Sequence, residues 1–246
     1  MKLWKKILIG FGALILVLLA SAVVWGMSST SKAEPLVAPY LQSSDTVIVE
    51  DGKWLTFSPV EKDPEVGFIF YPGGNVDHYA YAPALYKIAE AGYLVVDVPM
   101  PMDLAVLAPE KAMKVIEAHP EITEWVIGGH SLGGAMAARF MHEHPREAKG
   151  LALWAAYPAE SNDISCLNRP VISLYGTLDG VAQPFKIERS MPLLPEDTEY
   201  IPLEGGNHAQ FGFYGLQNRD GTPTISREEQ QAQIVEAMVT FLAGFE

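Results

Sequence analysis

Cysteine is nearly absent. Cys166 is the only one in 246 residues, so no disulfide can close within the chain, and no Cys/His spacing suits a structural zinc site. Cys166 is expected to be a small core or loop residue. Basic side chains are scarce as well. Residues 34–246 carry 13 of them against 30 acidic ones, a net of −17, which argues against a nucleic-acid partner. No repeat of about 20 to 50 residues occurs, and no low-complexity tract, which excludes solenoids and leaves little room for disorder. The length suits one large domain and hardly two.

Long apolar runs are missing too, with one exception. After "MKLWKK", with three lysines, residues 7–25 read "ILIGFGALILVLLASAVVW" without a charge. As a helix these 19 residues would extend roughly 28 Å, enough to cross a hydrocarbon core, whereas a cleaved signal usually has an apolar stretch of about 7 to 15 residues. The length favours an uncleaved anchor, residues 1–27. The alternative is a cleaved signal and a secreted domain, because "ASA" at 20–22 and "SKA" at 31–33 both fit cleavage sites. The leading lysines should stay in the cytoplasm, which sends the rest of the chain across the membrane. Residues 28–44, rich in Ser, Pro and Ala, read as a linker, and residues 45–246 as the folded domain.

Within that domain apolar, β-rich runs alternate with helical periodicity. Strands are expected at 46–50 and 53–59, joined by a tight turn at Asp51-Gly52, then at 66–71, 93–99, 124–129, 150–156, 170–176 and 198–203. Helices are expected at 80–91, 106–118, 132–144 and 226–243, the last opened by Ser226 with Glu229 three residues on. This order predicts an α/β fold: a mostly parallel eight-stranded sheet with helices on both faces.

Ligands of such sheets bind beyond the carboxyl ends of the strands, and Ser131 stands at one of those ends. Gly129-His130-Ser131-Leu132-Gly133 matches G-x-S-x-G, a sharp strand-to-helix turn that projects the hydroxyl above the sheet. A serine hydroxyl is a weak nucleophile at neutral pH, so it needs a histidine base and an acid to orient that base. His208 follows the last predicted strand and can overhang the same edge. His130 sits on the turn itself, and with His119, His142 and His144 it is assigned to solvated or capping roles. Asp179, just after the seventh predicted strand, is the acid of choice over Asp163 and Asp220. Backbone donors for a developing oxyanion are expected from Gly74 and from Leu132, with Asn75 as the alternative to Gly74.

"GHSLGG", "YPGG" at 71–74, "YGTLDG" at 175–180 and "GGNHAQFG" at 205–212 together resemble the α/β-hydrolase family, with a more distant likeness to its dienelactone-hydrolase-like members. The resemblance spans about residues 45–243 and implies hydrolysis through an acyl-enzyme. Many relatives have a His-Gly pair at the oxyanion loop, where this chain has Pro72-Gly73. Only about 14 residues separate the sixth and seventh predicted strands, too few for a lid domain. An open, apolar-bordered site follows, with Tyr71, Tyr157 and Phe211 as substrate-facing candidates. The expected activity is that of a serine carboxylesterase needing no cofactor or metal. Amidase, peptidase or thioesterase action on the same three residues is the alternative, as is a non-catalytic, membrane-tethered binding module.

Overall fold

The structure, a computed structural model, describes residues 30–246. The expected anchor or signal lies outside the described residues. Among those described, no helix is long and apolar enough to cross a membrane.

Eight strands form one sheet in the order β1-β2-β4-β3-β5-β6-β7-β8. They are β1 (Val47–Asp51), β2 (Leu55–Pro59), β3 (Val66–Tyr71), β4 (Leu94–Asp97), β5 (Glu124–His130), β6 (Gly150–Trp154), β7 (Val171–Gly176) and β8 (Glu199–Leu203). The hairpin pair β1/β2 and the pair β2/β4 are antiparallel. All other pairs are parallel. Five helices accompany them among the described residues: α1 (Ala82–Glu90), α2 (Lys111–Ala118), α3 (Leu132–Glu143), α4 (Pro184–Ser190) and α5 (Arg227–Ala243).

The sheet separates two apolar cores, as strands buried on both faces require. Phe68 and Phe70 of β3 point to one side, where Trp154, Leu85 of α1 and Ile234 and Met238 of α5 pack. Ile69 and Tyr71 point to the other, with Val115 of α2 and Phe140 of α3. Period-two alternation along one strand thus feeds both layers. No lid intervenes between β6 and β7; that connection holds one short 3-10 turn, Glu160–Asn162.

Two local expectations need correction, and one helix has no expected counterpart. The helix expected over 106–118 is split into a 3-10 turn, Ala105–Leu107, and α2. Pro109 lies between them, and a proline has no N–H to continue a helix and clashes with the preceding turn. The seven-residue α4, opened by Pro184 at its start, is too short to declare itself by periodicity. Most consequential is residues 28–44, expected as a linker. Pro35–Leu41 form a 3-10 helix with Val37 buried, Tyr40 packs edge-on against Tyr86 of α1, and the fold reaches back at least to Thr30.

Candidate active site

The carboxyl ends of β5, β7 and β8 converge on one rim. Ser131 follows β5 directly, with φ 52° and ψ −120°, a positive φ that a non-glycine residue holds only when its surroundings enforce it. Here they do. The Ser131 N–H donates to the Trp154 carbonyl of β6 at 2.9 Å, and the Ser131 carbonyl accepts from Ala135 of α3 at 3.0 Å. A Cβ on Gly133 would stand 2.1 Å from the Tyr71 carbonyl oxygen, and one on Gly129 would stand 2.4 Å from the same atom. Only bare backbone lets α3 begin so close to β3.

Asp179 and His208 meet as the sequence suggests. His208 Nδ1 donates to Asp179 Oδ2 at 2.7 Å, with both side chains buried. The other carboxylate oxygen accepts the N–H groups of Val181 and Ala182, each at 2.7 Å, so the acid is fixed on its own loop. His208 Nε2 is buried and has no hydrogen-bond partner among the described residues, Ser131 Oγ included. The histidine therefore keeps one nitrogen unengaged while the other is held by a carboxylate.

Asp220 makes no hydrogen bond to the imidazole. Its Oδ1 accepts from Gly180, His208 and Gly221 N–H and its Oδ2 from Ala209 N–H, at 2.8 to 3.2 Å. One carboxylate thereby staples the acid loop to the histidine loop. Asp163 caps Ser165 N–H instead. Behind His208, Gln230 of α5 brackets the Asn207 backbone, accepting its N–H and donating to its carbonyl, both at 2.9 Å.

His130 is not solvated, contrary to expectation. It is buried, stacks on Phe211 with ring centroids 5.3 Å apart, and lies 4.4 Å from the His208 ring. Burial, and then the nearby His208, hold its pKa well below the usual histidine range, so the ring is neutral. Its Nδ1 is 2.9 Å from the Tyr81 hydroxyl, which also accepts Gly73 N–H at 3.1 Å. Burial keeps the Tyr81 phenol protonated, so its O–H donates to His130.

Of the N–H groups on the loop after β3 and at the turn, some are already engaged. Gly73 N–H is used by Tyr81. Asn75 N–H is used as well, donating to the Asp103 carbonyl at 2.9 Å, so the alternative donor is withdrawn. Gly74 and Leu132 remain: neither N–H has an acceptor among the described residues, and a Cβ on Gly74 would lie 2.9 Å from Leu132 Cδ2. Leu132 stands at the start of α3, where helical N–H groups have no intrahelical partner.

The linker forms part of this rim. Thr30 Oγ1 donates to Asp103 Oδ2 at 2.6 Å. Ser31 N–H donates to the Asn75 carbonyl at 2.8 Å and its carbonyl accepts Asp77 N–H at 3.0 Å, a parallel bridge beside Val76. Glu34 N–H then donates to the Phe213 carbonyl at 2.7 Å, and its carboxylate pairs with Arg227 at 2.6 Å. Residues 30–34 form a strap from the oxyanion loop to the histidine loop.

Of the three substrate-facing candidates, two are core residues. Tyr71 points into the α2 layer, its hydroxyl donating to the Pro109 carbonyl and accepting from Ala112 N–H, each at 2.7 Å. Phe211 is buried against His130 and near Trp154. Tyr157 alone is partly exposed, lining a cleft of about 490 Å³ with Pro158, Phe185 and Leu193 between the end of β6 and α4.

The profile of the Alpha/beta hydrolase family matches residues 67–232: the chain belongs to that family. No curated protein matches it in a sequence search. Among solved structures it is similar to a predicted CIB-like hydrolase from Thermoplasma acidophilum (TM-score 0.62, 16% identity, 80% of this chain and 98% of that one). It is also similar to the esterase domain of a Rhodothermus marinus protein (TM-score 0.59, 16% identity, 76% and 90%). A third is a monoacylglycerol lipase from Paleococcus ferrophilus (TM-score 0.59, 15% identity, 79% and 99%). At such identities the likeness is one of fold.

Proposed function

We propose that this protein is a serine hydrolase that cleaves carboxylic esters through an acyl-enzyme. The observation that carries the reading is the buried Asp179–His208 pair, with Nε2 unengaged, on the same rim as the strained turn at Ser131. His208 Nε2 takes the Ser131 proton as Oγ attacks the ester carbonyl, and Asp179 stabilises the imidazolium that forms. The N–H groups of Gly74 and Leu132 receive the oxyanion, each worth about 3 kcal/mol in the transition state. The imidazolium protonates the leaving alcohol; water then attacks the acyl-enzyme by the same route and frees the acid. The lack of a partner for Nε2 is compatible with this, because catalytic hydrogen bonds often tighten only when substrate is bound.

Esters are favoured over amides and thioesters because structural relatives carry the names esterase and monoacylglycerol lipase. The length of residues 7–25 and the lysines before them support a single-pass anchor with the catalytic domain outside the cytoplasm. Labelling by a fluorophosphonate probe, lost in Ser131→Ala, separates a hydrolase from a silent binding module. Rates on p-nitrophenyl esters, anilides and thioesters of one acyl group then rank the bond cleaved. A Ser131→Ala variant that kept more than about a hundredth of the ester activity would overturn the assignment.

A further inference from the structure

We infer that the carboxyl rim of the sheet is the face this protein turns to a lipid bilayer, and that its substrates are amphiphilic esters resident in that bilayer. The inference rests on the hydrolase and anchor readings above and adds an orientation to them.

The first argument is one of reach. The apolar run ends at Trp25 and the strap begins at Thr30, five Cα steps later, which span at most about 18 Å however the chain runs. Thr30 is tied to Asp103, and Ser31 to Asn75 and Asp77, so the leash ends at the oxyanion loop. A domain of this size is about 44 Å across. A leash less than half that width, fixed at the rim, cannot let the opposite end of the sheet face the membrane.

The second argument comes from the surface. Eight large apolar side chains are markedly exposed among the described residues, and five of them, Val106, Leu107, Leu178, Phe185 and Leu216, stand on segments that follow β4, β7 and β8 at the carboxyl end. Leu107 is 54% and Leu216 92% exposed. Apolar side chains with nothing to pack against in their own fold gain by entering the acyl boundary of a bilayer. The net acidity of the domain favours a zwitterionic surface over a strongly anionic one. A site at that interface receives an ester whose acyl chain never leaves the lipid.

The test uses the full chain in phosphatidylcholine vesicles. In a Cys166→Ser background, single cysteines placed by Leu107→Cys, Leu216→Cys and Val60→Cys carry an environment-sensitive dye. Val60 is exposed and follows β2 at the opposite end of the sheet. Lipid-borne quenchers should reach the dyes at 107 and 216 and not the one at 60. In parallel, Leu107→Asp and Leu216→Asp should lower turnover of a long-chain fluorogenic ester dissolved in the vesicles at least ten-fold, while p-nitrophenyl acetate in the water phase changes less than two-fold. Quenching at 60 equal to that at 107 and 216, no quenching at the rim, equal effects on the two substrates, or failure of the protein to sediment with vesicles would each overturn the inference. Loss of the hydrolase reading would show separately, as wild-type protein that turns over neither ester.

Discussion

The Asp220 carboxylate accepts the main-chain N–H of His208 at 3.2 Å and leaves its imidazole to Asp179. The side chain that meets the His208 ring and the side chain that holds the loop bearing it are different acids, forty-one positions apart in the chain.

Asp220→Ala removes an acceptor shared by four backbone N–H groups. Hydrogen bonds to a charged acceptor contribute about 1.5 to 3 kcal/mol each, less when the orphaned donors can find water. The expected loss is about 3 kcal/mol, which for a domain of this size lowers Tm by about 6 to 12 °C. Thermal unfolding checks it, and an unchanged Tm refutes the staple.

Tyr81→Phe deletes the hydroxyl between Gly73 N–H and His130 Nδ1. Gly73 then has no acceptor inside the protein, and its neighbour Gly74 loses its fixed direction. A fall in kcat of about ten-fold, with KM within two-fold, is the signature of weakened oxyanion stabilisation. Affinity for a trifluoromethyl ketone should fall by a similar factor. Equal losses in substrate and analogue binding would mean that Tyr81 only shapes the cleft.

Gly133→Ala places a methyl group 2.1 Å from the Tyr71 carbonyl oxygen, backbone against backbone, where no rotamer gives relief. A loss of about 3 kcal/mol or more is expected from overpacking. Gly52→Ala, with nothing within 4 Å of the new atom, is the control. Urea denaturation of the two variants should separate them clearly.

A second His–Asp pair gives stability a pH dependence. His78 Nδ1 is 3.0 Å from Asp97 Oδ2, and the other Asp97 oxygen is buried without a partner. Burial works against charging His78, but the charge and hydrogen bond of Asp97, with Asp77 and Asp51 behind, outweigh it and hold the pKa above the ordinary value. Burial raises Asp97 more than His78 lowers it. Both shifts have one sign: the folded state binds more protons than the unfolded. The contribution of His78 is complete below about pH 6.5 and is lost as pH rises through its folded value. The urea midpoint should fall between pH 6 and pH 9, and by less in Asp97→Asn. An equal fall in both proteins would rule the pair out as the cause.

The positions of Ser131, Asp179 and His208 were legible because each follows a strand whose apolar run is plain, and strand ends share a rim whatever the side chains between them do. Helix α5 was legible for a local reason, the reciprocal hydrogen bonds of Ser226 and Glu229. Asn75 was misjudged because the fate of its N–H is decided by Asp103, on a loop 28 residues away. Tyr71 and Phe211 were placed at the rim by position alone; their direction depends on register and on packing partners from other elements. The buried place of His130 depends likewise on Tyr81 and Phe211. Asp220 falls in a segment without periodicity, so nothing local marks it as a staple.

The bridge through Ser31 also bears on proteolytic processing. A peptidase cutting after Ala22 would leave Thr30 and Ser31 on the mature protein and the oxyanion loop braced. One cutting after Ala33 would carry both away, leaving the Asn75 carbonyl, Asp77 N–H and Asp103 carboxylate to water. The choice between two scission points eleven residues apart would thus decide whether that loop keeps its brace.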